Sequence, residues 1–476
     1  MNTFVKAVKN QEARTANGMK AFQSTSSAVV DLFFKIGAMR GQNVVPAFTA
    51  AYVEDADRAL RIALWSRDIR QGAGERQIFK DVMSYLALNN PDAFIALANR
   101  VPELGRWDDL LEIAYNNPGT IRNYVFGMVR NALNHGDGLC AKWLPRKGPI
   151  AVALRQHFEW TPKFYRKRLV ELTKVVETQM CAKDWENINF NHVPSVAASR
   201  YKKAFKKHSV KFEEYVKKLA AGDKDVKVNA SAIFPYDVLK GTAINDSGTP
   251  RLSQIEREHI KAQWAALPNY VGDASILPLV DVSGSMYWST MTQTSGLRPI
   301  DVSVSLGLYL ADKNKGPFKD TFLTFSSTPV LIHLNGDILQ KTDQMAKSSW
   351  GGSTDLHRAI QVILDTAIRG KVPAEDMPKM LLILSDMQFN SCIHHDDTAL
   401  QMVARKYADA GYVMPQVVFW NLNAADNVPA KMDSTGVALV SGFSPSIVKS
   451  VLKADPEKFT PKGIMDATIM TPRYNY

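Results

Sequence analysis

Apolar residues recur with two different periods along the chain, and the change of period divides it into two parts. Between residues 26 and 220 they recur every three and four positions, as in Phe48, Tyr52, Ala56 and Ala59. This spacing is typical of one face of an α-helix, and short polar stretches separate one helical run from the next. The pattern predicts an all-α, HEAT-like array of antiparallel helices over residues 26–220.

From residue 275 onward, short apolar runs alternate with helical patterns. The runs at 276–280 and 380–384 are continuously apolar, as expected of central strands that are buried on both faces of a parallel sheet. Strands that alternate with helices predict a doubly wound α/β domain over residues 271–460. The predicted strands are 275–280, 321–325, 330–334, 380–384, 416–420 and 437–440.

Three further segments flank these two domains. Residues 1–25 are polar and rich in small side chains, which predicts a flexible arm. Residues 221–270 contain turn-rich stretches and one helical pattern, so we expect a connector. Residues 461–476 are predicted to form a tail that packs back onto the helical array.

The composition is typical of a folded protein outside the membrane. Of 476 residues, 46% are hydrophobic, and no apolar run reaches the roughly 18 residues that a transmembrane helix needs. The N-terminal residues lack the apolar core of a signal peptide. Cys140, Cys181 and Cys392 are far apart and odd in number, which argues against a disulfide framework. We therefore expect a cytoplasmic protein with no membrane contact.

The positive charge is confined to the predicted helical part and connector. Residues 1–270 contain 40 Lys and Arg against 27 Asp and Glu, whereas residues 271–476 contain 18 against 20. Because only one part of the chain is basic, this asymmetry suggests a polyanion as the partner of that part. A basic surface without a partner is the alternative interpretation.

Two neighbouring basic clusters in the predicted helical part contain aromatic residues. Cations and aromatic side chains together can neutralise phosphates and stack on unpaired bases. The candidate nucleic-acid contacts here are Lys142, Arg146, Lys147, Arg166, Lys167 and Arg168. Trp143 lies among them, but buried aromatic residues are common, and we expect Trp143 to belong to the core.

The densest run of cations lies between residues 200 and 218, where eight cations face only two acids. Lys203 and Lys207 are four residues apart, so they repel each other on one helical face unless a polyanion offsets their charge. Lys202 and Lys206 have the same spacing. The candidate nucleic-acid contacts in this run are Arg200, Lys202, Lys203, Lys206 and Lys207. A solvated basic helix is the alternative.

A third arginine-rich stretch covers residues 65–76. Its Arg67, Arg70 and Arg76 could face a phosphate backbone, or they could pair with acids such as Asp68 and Glu75. Acids interleaved at helical spacing favour pairing over a nucleic-acid contact.

Oxygen ligands follow the two predicted central strands. Asp281, Ser283 and Ser285 come directly after the first strand, Asp386 follows the strand at 380–384, and Thr354 lies in a glycine-rich stretch that opens a helix. Because ligands of an open α/β sheet bind outside the carboxyl ends of its strands, we expect these side chains to meet there. Carboxylate and hydroxyl oxygens are hard ligands and predict a site for Mg²⁺ or Mn²⁺.

This set resembles the metal-ion-dependent adhesion site (MIDAS) of the von Willebrand factor A domain. Residues 281–285 match its DxSxS motif, Thr354 its threonine and Asp386 its distal aspartate. The resemblance implies a magnesium ion that completes its coordination shell with an acidic ligand. Two positions depart from the family pattern: Ser353 is an alternative loop ligand, and Met387 follows Asp386 where glycine is common.

A basic helical region joined to such a domain resembles the Ro/TROVE RNA-binding proteins. The motifs at 65–76, 105–108, 142–146 and 192–200 are more similar to a phage, bacterial and plant relative of that family. The resemblance implies a ring of helical repeats that the A domain closes, with structured or misfolded RNA on the basic surface.

The leading hypothesis is therefore a non-enzymatic RNA-binding protein, part of a ribonucleoprotein, with a magnesium site for an acidic ligand. The alternative is a protein–protein interaction scaffold that captures a partner's carboxylate at the metal. A metal-dependent hydrolase is least favoured, because the site has two carboxylates and no histidine at an obvious general-base position. The nearby histidines are His357, His394 and His395.

Overall fold

The computed structural model describes residues 12–230, 233–240, 242, 252–288, 297–325, 328–347, 354–391, 396–423 and 426–476. Within them, α-helices follow one another from residue 28 to residue 220, and a six-stranded sheet with its helices begins at residue 276. The fold class predicted from the sequence is confirmed. None of the described helices combines the length and the apolar character that a membrane crossing requires.

Short loops join the helices of the N-terminal part, as the apolar period predicts. These helices are α1 (Ala28–Ile36), α2 (Val45–Glu54), α3 (Ala56–Arg67), α4 (Gln77–Asn89), α5 (Pro91–Ala98), α6 (Val101–Leu104), α7 (Asp108–Asn116), α8 (Thr120–Asn134), α9 (Gly138–Trp143), α10 (Pro149–His157), α11 (Pro162–Leu172), α12 (Val176–Cys181), α13 (Ser195–His208) and α14 (Val210–Ala220). Side-chain caps fix several helix starts: Asp55 accepts a hydrogen bond from the backbone N of Arg58 at 3.0 Å, and Thr161 accepts one from Phe164 at 3.2 Å.

Two helices of the connector lead into the α/β part. They are α15 (Pro235–Val238) and α16 (Gln254–Ala265). The strands that follow are β3 (Ile276–Asp281), β4 (Thr321–Phe325), β5 (Leu331–His333), β6 (Met380–Ser385), β7 (Gln416–Asn421) and β8 (Val437–Ser441). The helices are α17 (Gly284–Trp288), α18 (Pro299–Lys313), α19 (Ile338–Ala346), α20 (Leu356–Gly370), α21 (Ala399–Asp409), α22 (Ile447–Leu452) and α23 (Pro461–Ile469).

The strand order of the sheet is β5-β4-β3-β6-β7-β8. All neighbours run parallel except β5, which pairs antiparallel with β4 at one edge. The two continuously apolar strands, β3 and β6, are adjacent in the middle, as their composition predicts. Their carboxyl ends therefore lie side by side.

The sheet is covered on both faces, and successive residues of each strand alternate between the two cores. On β3, Ile276 and Val280 belong to one apolar cluster, whereas Leu277 and Leu279 belong to the other. This period of two is the side-chain alternation of a strand, here with apolar residues on both sides. The second cluster is completed by α20 and α21, and the first continues into the N-terminal helices.

Helix α18 packs directly on the first face of the sheet. All its residues from Pro299 to Ala311 are buried. Gly307 of this helix faces Val280 of β3 so closely that a Cβ at position 307 would collide with a methyl group of Val280. The close approach therefore requires glycine in the middle of a helix, where glycine otherwise reduces stability.

The carboxyl edge of the sheet also receives the end of α1. The hydroxyl of Ser441 donates to the carbonyl of Phe33 at 2.9 Å and accepts from the backbone N of Gly37 at 3.0 Å. The amide of Asn421 donates to the carbonyl of Phe34 at 3.2 Å. Because the last carbonyls of a helix lack partners within it, these two strand-end side chains satisfy the C-terminus of α1.

The C-terminal tail packs onto the N-terminal helices, as expected from the sequence. Arg473 Nη2 lies 2.9 Å from Oδ1 of the buried Asp68, and the hydroxyl of Tyr474 donates to the same carboxylate at 3.1 Å. Arg58 Nε donates to Asp466 at 2.8 Å. These contacts join the last 16 residues to α3 and the loop that follows it.

The connector also contacts the α/β part. Helix α15 packs on α18, and Trp264 Nε1 of α16 donates to Asp312 of α18 at 2.8 Å. Lys261 of α16 pairs with Asp337 at 3.0 Å, next to α19. The α/β part is therefore contacted by the connector as well as by the first helices of the chain.

Residues 12–25 do not form the flexible arm that the sequence predicts. Strands β1 (Glu12–Arg14) and β2 (Lys20–Phe22) form an antiparallel hairpin that lies against the α/β part. Phe22 exchanges backbone hydrogen bonds of 2.9 and 2.8 Å with Val428. The polar composition suggested mobility. Residues of this segment instead form hydrogen bonds with residues more than 350 positions away, and a local sequence pattern cannot predict such distant partners.

Replacement of Gly307 by alanine is expected to lower the unfolding midpoint in urea. Alanine gains helix propensity of about 1 kcal/mol over glycine, but here the added Cβ collides with Val280 on a central strand that cannot retreat. Gly127→Ala in α8 is the matched control, because no atom lies within 4 Å of its added Cβ. It should raise the midpoint. Equal stabilisation by both substitutions would contradict the close packing of α18 on β3.

Candidate functional site

The carboxyl ends of β3 and β6 bring together most of the oxygen ligands predicted from the sequence. Asp281 is the last residue of β3, and Asp386 directly follows β6, which is its parallel neighbour. Both carboxylates are buried, as are Ser283 and Thr354. Ser285 is solvent-exposed, so the group reaches the surface on its side.

Hydrogen bonds hold Asp281 in one orientation. Its Oδ1 accepts from the backbone N of Ser283 at 2.9 Å, and its Oδ2 accepts from the hydroxyl of Ser385 at 2.6 Å. The hydroxyls of Ser283 and Ser285 lie 3.2 Å apart, and Ser285 also hydrogen-bonds Asp386. Asp386 accepts a further bond from the backbone N of Gln388 at 3.2 Å.

The two carboxylates have no cation beside them in the part of the chain that the structure describes. Burial, together with the negative charge of Asp386, raises the pKa of Asp281 to about 7. Burial also raises the pKa of Asp386, although the hydrogen bonds from Ser285 and Gln388 oppose that shift. Two buried carboxylates at one place are costly when both are ionised, and a bound cation would remove that cost.

The hydroxyl of Thr354 is a further polar group at this edge that a metal ion could satisfy. The carbonyl of Thr354 accepts from the backbone N of Asn390 at 2.9 Å, which ties the start of α20 to the segment after Asp386. Its hydroxyl is buried and has no hydrogen-bond partner among the described residues. A buried hydroxyl without a partner is unfavourable, and a metal ion or its water shell would satisfy it. The alternative loop ligand, Ser353, lies outside the described residues.

The donor set decides which metal would fit. The described residues contain no cluster of three or more His, Cys, Asp and Glu side chains spaced to hold an ion. A site at this edge therefore consists of two carboxylates and hydroxyl groups. Hard oxygen donors with few carboxylates suit Mg²⁺ or Mn²⁺, which retain several waters. The residues present fit such an ion.

Sequence reasoning missed Ser385 and the hairpin. The hydroxyl of Ser385 donates to Asp281 and also accepts from the backbone N of Met387 at 3.0 Å. The sequence indicated this role only through the position of Ser385 between the predicted strand and Asp386. Asn17 donates to the carbonyl of Gln388 at 2.7 Å, so the hairpin contacts the segment after Asp386. Met387 has a φ of 65°, the left-handed conformation that favours glycine.

Arg67 and Arg76 pair with acids, as the sequence favours, but with acids other than Asp68 and Glu75. Arg67 is buried and its Nε lies 2.7 Å from Asp109 of α7, which also accepts from Arg76 at 2.6 Å. Arg70 donates to the carbonyl of Glu103 at 2.7 Å. The interpretation that these arginines face a phosphate backbone is therefore wrong for Arg67, because Asp109 neutralises its charge inside the fold.

The cluster around Trp143 is mainly structural. Trp143 is half-buried against the core, and the guanidinium carbon of Arg106 lies 3.4 Å from its ring centroid. Arg146 donates to the carbonyls of Ala141 and Leu144 at 2.7 and 2.9 Å, and burial lowers its pKa. Lys142 lies 4.0 Å from Glu177. Lys147 is exposed and has no ion pair among the described residues.

Helix α11 keeps part of its predicted basic surface. Arg166 and Lys167 are exposed, whereas Arg168 is half-buried and donates to the carbonyl of Leu133 at 2.8 Å. Phe164, on the same helix, is half-exposed and packs edge-on against Trp160 with 4.9 Å between the ring centroids. An exposed aromatic ring among exposed cations is a surface on which a base could stack.

Helix α13 carries the most exposed set of predicted cations. Arg200, Lys203, Lys206 and Lys207 are exposed. Lys202 is different: it is half-buried near Glu256, and burial lowers its pKa. Of the predicted contacts on this helix, four therefore reach solvent and Lys202 points towards α16.

Two family profiles match the chain, and they divide it where the fold does. The profile described as domain of unknown function DUF2828 matches residues 15–117 and 152–277, and the one described as domain of unknown function DUF7788 matches residues 275–466. The first covers most of the helical part and the connector, and the second begins with β3. The chain is thus similar to both families over its two parts.

One protein and one solved structure are similar to nearly the whole chain. Uncharacterized protein L728 of Acanthamoeba polyphaga mimivirus is 29% identical over 512 residues, which cover 95% of this chain and 86% of that protein. The crystal structure of the Deinococcus radiodurans Ro (RSR) protein superposes with a TM-score of 0.49 and 16% identity, over 94% of this chain and 100% of the other.

In protein stripped of divalent metal, the contribution of Asp281 to the free energy of unfolding is expected to fall as the pH rises from about 4 to about 7. The pKa of Asp281 is raised from 3.8 to about 7, so the folded chain binds this proton more tightly than the unfolded chain. The resulting stability is present below the unfolded pKa and is lost as the pH rises through the folded pKa. Urea unfolding at stepped pH in a chelator measures it.

Asp281→Asn is the matched variant, since it keeps the shape of the side chain and removes its titration. Its stability should depend less on pH than that of the wild type across the same window. Asp237, whose pKa burial raises to about 6, titrates in both proteins and cancels in the difference. Identical slopes for the two proteins would contradict the assignment to Asp281.

Proposed function

We propose that this protein binds RNA through the exposed cations of α13 and α11 and does not act as an enzyme. The observation that carries the proposal is the state of Lys203 and Lys207. They lie four residues apart on one face of α13, both are exposed, and neither forms an ion pair with any described residue. Their mutual repulsion is a cost that a bound polyanion offsets.

The contrast with the other cations of the helical part strengthens this proposal. Arg67 and Arg76 are paired with Asp109, and Arg106 lies over Trp143, so those charges serve the fold. Lys203 and Lys207 of α13 have no such partner among the described residues. A basic helix whose charges are not neutralised within the fold is best explained by a partner that binds them.

RNA is favoured over duplex DNA on two grounds. The motif resemblance to the Ro/TROVE proteins and their relatives points to RNA. In addition, Phe164 is half-exposed between Lys163 and Lys167, which are exposed as well. Aromatic stacking next to cations suits unpaired bases, which structured and misfolded RNA present in loops and ends.

We further propose that Mg²⁺ binds at the carboxyl edge of the sheet, in the manner of an adhesion-type site of a von Willebrand factor A domain. The residues that would hold it are Asp281, Ser283, Ser285, Thr354 and Asp386. The raised pKa of Asp281 and the unsatisfied hydroxyl of Thr354 support this proposal. When bound, the ion would offer a coordination position to an acidic ligand.

A protein–protein interaction scaffold is the second candidate, and the exposure of Ser285 favours it. Asp281 is fully buried while Ser285 reaches solvent, so a carboxylate of a partner protein could approach an ion from that side. In this alternative the metal site binds protein, and the basic helices are not needed for binding.

Combined replacement of Lys203 and Lys207 by glutamine is expected to weaken RNA binding and its salt dependence. Each lost phosphate contact should reduce the slope of log affinity against log salt by about 1, so the pair should reduce it by about 2. Fluorescence anisotropy with a labelled structured RNA between about 50 and about 200 mM salt measures the slope.

The control for this variant is Lys315→Gln combined with Lys379→Gln, which removes two exposed lysines from the α/β part. It has the same net charge and should bind RNA like the wild type. Wild-type affinity that does not change with salt, or an equal loss in both double variants, would argue for the scaffold. Equal affinity for a DNA duplex of the same length would contradict the assignment to RNA.

Addition of Mg²⁺ to chelated protein is expected to raise the thermal midpoint, because a ligand that binds only the folded state stabilises it. Asp386→Asn and Thr354→Ala should each reduce this increase. Thr366→Ala, on the exposed face of α20, is the matched control for the threonine and should retain it. An unchanged increase in Asp386→Asn would show that Mg²⁺ binds elsewhere.

A further inference from the structure

A cavity of about 410 Å³ lies where four parts of the chain meet. Its walls come from the loop after α3, the end of the connector, helix α22 and the C-terminal tail. The charged residues among the described lining are all cations: Arg70, Lys449, Lys453 and Arg473. None of them belongs to the metal edge or to the basic surface of α13.

Hydrogen bonds to other parts of the chain hold two of these cations, Arg70 and Arg473, in place. Arg473 is bound by Asp68, which is buried and also accepts from the hydroxyl of Tyr474 at 3.1 Å. Arg70 donates to the carbonyl of Glu103 at 2.7 Å, and the carboxylate of Glu103 lies 3.5 Å from Arg473. The two guanidinium groups are therefore positioned before any ligand arrives, and two carboxylates offset their charge.

The other two cations have no such partner. Lys449 lies in α22, and Lys453 follows at the C-terminal end of that helix, four residues later. Both are exposed, and neither forms an ion pair in the part of the chain that the structure describes. Two like charges at this spacing repel each other, so an anion between them would be stabilised.

The rest of the wall can hold more than a bare anion. Ser450 and Thr471 also line the cavity, and each carries a hydroxyl group that can donate a hydrogen bond. Pro268 and Tyr270, both half-buried, provide an apolar side. A volume of this size with an apolar wall and a few convergent polar groups is typical of a small-molecule site.

We propose that this cavity binds a nucleotide through its phosphate groups. The lysines and arginines would contact the phosphates, the two hydroxyls would donate to phosphate oxygens, and the ring would lie against Pro268 and Tyr270. The site is separate from the proposed RNA surface and from the magnesium edge. The phosphate could belong to a free nucleotide or to the phosphorylated end of an RNA strand.

Titration calorimetry of the full chain with ADP and with adenosine tests the proposal. ADP should bind at low salt and adenosine should bind far more weakly, because it lacks the phosphates. Lys449→Gln combined with Lys453→Gln should weaken ADP binding about tenfold or more, since both charge-assisted contacts are lost. Both lysines are exposed, so the variant should fold, which circular dichroism can verify.

The double variant of Lys203 and Lys207 is the matched control, because it removes the same charge from α13. It should bind ADP like the wild type and bind RNA more weakly, whereas the variant of Lys449 and Lys453 should bind ADP more weakly and bind an RNA with a 5′-hydroxyl like the wild type. A failure of the proposed RNA surface is thus distinguishable from a failure of this site. Absent ADP binding, equal binding of adenosine, or equal loss in both variants would overturn the proposal.

Competition against fluorescent ADP identifies the source of the phosphate. A short RNA with a 5′-phosphate is compared with the same RNA carrying a 5′-hydroxyl. Displacement by the phosphorylated strand alone supports a site that accepts strand ends, and displacement by neither supports a site for free nucleotides. Equal displacement by both strands contradicts recognition of a terminal phosphate or a nucleotide and would overturn the proposal.

Discussion

One apolar core extends from the first helices of the chain to the face of the sheet that α18 covers, and the remainder of the fold is arranged around it. Helix α1 belongs to this core and ends on Ser441 and Asn421 at the carboxyl edge of the sheet. Helix α18 fills the same core from the other side and requires Gly307 to do so. The two parts of the chain therefore share buried surface. The cavity near Arg473 is a product of this junction.

The shared core also determines how the positive charge is used. Near the junction, Arg67 and Arg473 are paired with the buried carboxylates of Asp109 and Asp68. A buried pair of this kind needs both partners, since removal of one leaves an unpaired charge in an apolar setting. Lys203 and Lys207, in contrast, form no ion pair with an acid among the described residues. These two exposed lysines are part of the excess of cations in residues 1–270.

Local sequence patterns predicted those structural features that depend on residues close together in the sequence. All six strands of the sheet were predicted within two residues of their observed ends, because period-two and continuous apolar runs are local signals. The pairing of Arg67 with Asp109 and the stacking of Arg106 on Trp143 join distant helices, and sequence spacing cannot reveal them. The hairpin at residues 12–25 and the role of Ser385 were missed for the same reason.

The carboxylates of Asp281 and Asp386 differ from the buried acids that pair with arginines. Asp68 and Asp109 each have an arginine in contact, so their burial is explained within the fold. Asp281 and Asp386 face each other's charge, with hydroxyl and backbone hydrogen bonds that reduce the repulsion but do not neutralise it. A fold gains nothing from this arrangement by itself, because an apolar pair of the same shape would be more stable. Among the described residues no cation neutralises this pair, and the arrangement supports the proposal that a metal ion binds at the carboxyl edge of the sheet.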